Sequence, residues 1–188
     1  MQPVEVYEIL CKDGIYRMNP EKIEEPWTVF LTAYDWLNQY LEAKTPKPLG
    51  VSYPIWAWFR FNGKEKKPDL RHTCYGSRGT KMVCMEIEIP DEEVLLSDFD
   101  LWHFVLNKWW LPDCFHEGYG DNEDEVQQRW FDGLTKDEQI KEKEKSWERI
   151  FDIEPFENDW ILKGKYVQAI FWELKLEQVK KVQFFTAR

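Results

Sequence analysis

No apolar run in this sequence approaches the roughly 20 residues that a membrane-spanning helix requires, and its first residues lack the basic-then-apolar pattern of a secretory signal. Both absences predict a cytoplasmic chain with no membrane partner. Histidine is scarce, at three in 188 residues, which leaves little material for conventional acid–base catalysis. There is no P-loop, no Rossmann glycine pattern, no HExxH and no Ser/His/Asp order. The cysteines at 11, 74, 84 and 114 include no C-x-x-C pair, so they read as reduced thiols. His72 with Cys74, Cys84, and Cys114 with His116 are soft donors, but they lack the tight knuckles of zinc sites, and no metal is assigned.

What is present is acid, and aromatic rings. The formal charge is −10, yet the segment from Arg60 to Lys81 holds seven Lys/Arg against two acids and is +5, leaving −15 elsewhere. A basic island on an acidic body suits a phosphate, a carboxylate or an acidic partner. The −15 ranks nucleic acid last among partners. Eleven Trp, eight Tyr and twelve Phe supply most of a core and enough surplus for an aromatic-walled pocket.

Periodicity places a helix over "MQPVEVYEILCKDG", almost from the first residue, with Pro3 in its first turn, Val4, Tyr7, Leu10 and Cys11 on one face and Gly14 ending it. A second helix is expected from about Pro26 to Ala43, with Trp27, Phe30, Leu31, Tyr34, Leu37 and Leu41 inward. "YPIWAWFRF" and "MVCMEIEIP" alternate as strands and are expected to be neighbours in one sheet. In "LLSDFDLWHFVLN", Ser97 and Asp100 have capping-box spacing, while His103 and Asn107 fall on a polar face that capping leaves unexplained. "LPDCFHEGYGDNEDE" reads as a mobile acidic loop, followed by two helical pieces from Glu123 to about Phe151, the second opened by Thr135-x-x-Glu138. "KYVQAIFWELK" and "VKKVQFF" are closing strands. The expected fold is α+β, a single domain over 1–188 with a mixed or antiparallel sheet. Helices lie at its N-terminus and in its middle, with an acidic loop and helical insertion at about 112–150.

With "YPIWAW", "KPDLR", "LLSDFDLWHFVLN", "SWERIFD" and "VQAIFWELK" in view, the chain resembles, over nearly its whole length, a family of bacterial and phage-associated proteins catalogued as a domain of unknown function. Members carry a short aromatic-Thr-Ile-Gln strand ahead of the first helix, of which only Met1 and Gln2 stand here. The order of elements is also similar to the small ADP-ribosyltransferase fold. That resemblance implies NAD as cofactor and a polar residue on a late strand orienting the ribose. The late position falls at Gln168, with Glu173 nearby, whereas the first-strand clamp has no counterpart.

The candidate site follows. Trp56, Trp58 and Trp172 are expected as walls, Arg71 and Arg78 as holders of phosphate, Asn107 as a ligand-binding amide, and Gln168 and His103 as the reactive groups. Arg71 offers a planar fork for an oxyanion, or pairs with Asp69. "YGSRGTK" could offer backbone N–H groups to an anion, or be an ordinary hairpin. The expected ligand is a nucleotide or phosphorylated small molecule. The rival expectation is a non-enzymatic interaction protein of phage–host or toxin–antitoxin conflict. It would cover a protein partner with the acidic stretch from Asp113 to Glu125 and exposed aromatics.

Overall fold

The computed structural model describes residues 1–22, 25–71, 76–116, 119–157 and 162–188, without the side chains of 22, 25–27, 121 and 157. The chain is α+β with antiparallel strand pairs, and it divides into two compact units between which the backbone passes repeatedly. Unit 1 is Met1–Trp58, Glu65–Leu95 and Ala169–Arg188; unit 2 is Phe59–Lys64 and Leu96–Gln168. Among the described residues no helix is long and apolar enough to cross a membrane.

Unit 1 opens with β1 (Gln2–Pro3) and α1 (Val4–Asp13). The two-residue β1 pairs with the strand at 81–87, Gln2 opposite Val83. Gly14 ends α1 at φ +75, and its N–H donates to the Leu10 carbonyl at 2.9 Å. Left-handed backbone of this kind is open to glycine at no steric cost. The inward face of α1 is Val6 and Leu10, one turn apart, while Val4 and Tyr7 are half-buried and Cys11 is exposed, so of the expected stripe only Leu10 is fully buried. β2 (Ile15–Arg17) follows.

The second helix begins later than its pattern implied. A 3-10 stretch, Glu25–Phe30, precedes α2 (Leu31–Lys44), and the buried positions are Ala33, Trp36, Leu37, Asn38 and Leu41. β3 (Ile55–Arg60) and β4 (Lys81–Ile87) are not sheet neighbours. β4 is the centre of a β1-β4-β10 sheet, where β10 is Val179–Thr186, and β3 belongs with β8 (Val167–Phe171) and β5 (Leu95–Asp98) in the order β3-β8-β5. β4 instead finds an eight-residue antiparallel partner in β10. The closing pattern also breaks at Trp172: β8 stops at Phe171, and β9 (Glu173–Lys175) pairs with β2. A core of Leu10, Ile55, Phe171 and Leu174, flanked by Tyr7, Tyr16, Met85, Ile87 and Val179, closes this unit.

Unit 2 carries α3 (Phe99–Leu106), α4 (Asp121–Asp132), α5 (Lys136–Trp147) and the short pair β6 (Phe156–Glu157) and β7 (Leu162–Lys163). The cap of α3 is Asp98, not Ser97. Asp98 Oδ1 accepts from the Leu101 N–H at 2.9 Å, and Oδ2 accepts from the Gly164 N–H at 2.6 Å. Ser97 lies in β5 with its hydroxyl fully buried. Asp98 is also fully buried, and burial raises its pKa against the opposing pull of its backbone N–H donors. Around the same point Arg60 Nη1 donates to the carbonyls of Ile153 (3.1 Å) and Gly164 (2.9 Å).

The Thr135/Glu138 capping box forms as its spacing implied. Several described residues of the acidic stretch are joined by side-chain bonds. The Gln127 amide bonds both the N–H and the carbonyl of Asp113 at 2.9 Å, Tyr119 donates to Asp124, and His116 meets Glu123 at 3.1 Å. The segment 109–113 is held to α5. Ser146 Oγ accepts from Leu111 N–H, the Trp147 indole N–H donates to the Trp109 carbonyl, and Arg149 donates to the Leu111 carbonyl.

Candidate anion-binding groove

Two turns and the end of one strand build a cation-lined groove inside unit 1. Pro68 fixes the backbone ahead of Asp69, and the Arg71 N–H returns to Asp69 Oδ1 at 3.0 Å, a local turn that aspartate side chains favour. The same carboxylate takes the Arg71 guanidinium from the side, with Nε at 2.9 and 3.0 Å and Nη2 at 2.5 Å. Asp69 thus orients Arg71, and the Nη1 edge faces away from that pair.

The second turn, "GSRGT", is set by Gly79 at φ +89 and a Thr80 N–H to Ser77 carbonyl bond of 3.0 Å. Its backbone is spent on the chain end. The Gly79 N–H donates to the Ala187 carbonyl and the Ala187 N–H to the Thr80 carbonyl, both at 2.9 Å. The N–H groups of Gly79 and Thr80 are therefore not an anion nest; the turn's contribution to the groove is the side chain of Arg78. β10 brings Gln183, Phe185 and Thr186 alongside, and Arg188 follows them. Lys67 Nζ donates to the Gln183 amide oxygen, which leaves that amide's N–H₂ unused by this bond.

These side chains, with Leu70, line a groove of about 990 Å³. Among the described residues, its lining includes three arginines and no carboxylate side chain. Among the described residues neither Arg78 nor Arg188 shares an ion pair. Cations so placed recognise an oxyanion by charge and by forked N–H geometry.

The structure brings Arg71 and Arg78 to this one groove. Trp56 and Trp58, half-buried on β3, and Trp172 lie in the same unit but do not line it. Trp56 meets the Tyr34 ring edge-on at 6.1 Å. Trp172 is only 3% exposed, with its indole N–H on the Thr45 carbonyl and Lys47 over its ring, which leaves little of it open to a ligand.

His103, Asn107 and Gln168 belong to unit 2. His103 Nδ1 bonds the Phe99 carbonyl at 2.9 Å, which requires Nδ1 to carry the proton and leaves Nε2 outward on an exposed ring. Asn107 is the C-cap of α3, its side chain donating to the His103 carbonyl at 2.7 Å, so capping does explain it. Gln168 is half-buried on β8. Glu173 accepts both Nε and Nη2 of Arg17, at 3.0 and 2.8 Å, across the β2–β9 pair.

Of the soft donors, His72 and Cys74 lie outside the described residues. Cys84 and Cys114 are buried, and among the described residues no His/Cys/Asp/Glu group is arranged to hold a metal ion. The groove residues that sequence reasoning missed are Gln183, Thr186 and Arg188. Their signal was weak: only the pairing of β10 with β4 puts the chain end against the Gly79 turn, and periodicity does not reveal that pairing.

The chain belongs to the family described as Domain of unknown function (DUF3841), which matches residues 1–180. No curated protein and no solved structure matches it.

Proposed function

We propose that this chain is an anion-binding protein whose arginine groove takes a nucleotide or another phosphorylated small molecule. One observation carries the reading. A chain of net charge −10 gathers Arg71, Arg78 and Arg188 around one groove and keeps carboxylate side chains out of its lining. On so acidic a body, a cationic groove is also where an anion in solution is steered. Arg71 is held in one orientation by Asp69 before any ligand arrives, which lowers the entropic cost of engaging it. Phe185 and Leu70 give apolar surface for a base or sugar, and Gln183 and Thr186 give neutral hydrogen-bonding groups.

The proposal assigns binding and no bond cleavage. Among the described residues, the groove's lining has no histidine, cysteine or carboxylate side chain to act as base or nucleophile. Thermal unfolding in the presence of inorganic phosphate, ADP, NAD and ADP-ribose tests it. A ligand at 100 times its Kd stabilises the native state by about 2.7 kcal/mol. The expected result is a shift with at least one phosphate-bearing compound that shrinks as salt rises. A flat response across the panel contradicts the reading.

A further inference from the structure

A second groove, wholly within unit 2, begins where α3 ends. The Lys108 N–H donates to the Val105 carbonyl at 3.0 Å and the Trp109 N–H to the Phe104 carbonyl at 2.9 Å, the paired bonds of a Schellman end. The rings of Phe104 and Trp109 close it at 6.1 Å. Such an end needs one left-handed residue, normally glycine. Here it is Lys108, at φ +57. A side chain is thus carried where the backbone disfavours one.

That side chain stands at a groove of about 590 Å³, together with Lys136 and Lys143. Trp109, Trp110, Phe131 and Ile140 form its apolar surface, two glutamine amides complete it, and no carboxylate among the described residues lines it. The walls are fixed in advance. Trp110 stacks on Phe131 at 4.6 Å and 10°, and the Trp109 carbonyl is held by the Trp147 indole. Yet Trp109 is 58% and Ile140 50% exposed.

We propose that this groove docks an acidic segment of a partner protein. An aromatic or aliphatic side chain of that segment seats against Trp110 and Phe131, and its carboxylates meet Lys108, Lys136 and Lys143. Charge complementarity sets the sign of the occupant. An open groove with lysines on flexible stems encloses a small ligand poorly, whereas tryptophan with a polar rim is the composition of protein interfaces. A second copy of this chain, at −10, is repelled in bulk.

The test uses a random glutamate–tyrosine copolymer, which samples many acidic sequences with aromatic anchors, titrated at low salt and read by fluorescence anisotropy. The expected result is binding that weakens about threefold in Lys108→Gly and roughly tenfold or more in Lys108→Gly/Lys136→Gln/Lys143→Gln. Lys108→Gly should unfold at the same temperature as the parent or higher, because glycine relieves the left-handed strain, so its loss of binding cannot be a loss of fold. The losses in the lysine variants should persist in an Arg78→Ala background, which separates this groove from the arginine groove. Polyglutamate without tyrosine should bind more weakly. No binding of the copolymer, or equal binding by the triple variant, overturns the proposal. So does sedimentation showing self-association of the parent that Lys108→Gly abolishes, because the occupant is then a second copy.

Discussion

Replacing Asp98 by alanine removes both acceptors that join the start of α3 to the Gly164 turn. The loss of the cap to Leu101 N–H is worth about 1 kcal/mol. The Gly164 N–H, now buried without its acceptor at 2.6 Å, adds about 1–3 kcal/mol. The expected deficit is therefore about 2–4 kcal/mol near neutral pH, read by urea unfolding followed through tryptophan emission. Its pH dependence has a definite sign. Burial holds the Asp98 pKa above its ordinary value, so the stability linked to this group is complete below the unfolded pKa and is lost as pH rises through the folded one. The alanine variant lacks that component, so its deficit relative to the parent should shrink as pH is raised through the carboxylate range. Asp100, whose pKa burial also raises, adds by its charge to the rise at Asp98 and so acts in the same direction. A deficit below about 0.5 kcal/mol would remove the cap from the account. A deficit that grows with pH would show that the backbone N–H donors outweigh burial at this carboxylate.

Two further outcomes follow from the same geometry. Gly164→Ala places a Cβ 2.7 Å from the Ile153 carbonyl and 3.0 Å from Pro155 Cα at φ +76, and should destabilise the protein by about 2 kcal/mol or more in the same urea assay. The Cys114 thiol, its pKa pushed up to about 11 chiefly by burial, should stay unmodified by a disulfide reagent at pH 8, while exposed Cys11 reacts. Equal rates for the two in folded protein would contradict the burial.

Local chemistry was readable from the sequence, and long-range pairing was not. Gly14 ends α1, the Thr135/Glu138 box opens α5, and the two helical pieces between 121 and 147 stand close to where their spacing placed them. Each depends on residues within one turn of each other. Errors arose where two local rules competed or where a partner was distant. Ser97 and Asp98 both suit a cap, and β5 running through Asp98 decides for the aspartate. β3 and β4 alternate as strands should, but their partners come from the far end of the chain. The same limit applied to the groove. Arg71 and Arg78 stood out as cations beside turn residues, whereas Gln183, Thr186 and Arg188 join them only through the register that sets Phe185 opposite Met82. Asp69, a pairing alternative for Arg71 in the sequence, does pair with it.

The most direct measurement is a calorimetric titration of ADP-ribose, which carries two phosphates and tests base, sugar and charge together, into the parent protein and into Arg78→Ala. The account predicts saturable binding to the parent and about tenfold or weaker binding to the variant, with unchanged unfolding, because the Arg78 side chain lines the groove and shares no ion pair among the described residues. Binding that survives the substitution unaltered, or no heat with the parent at any concentration that the ligand's solubility allows, would contradict it.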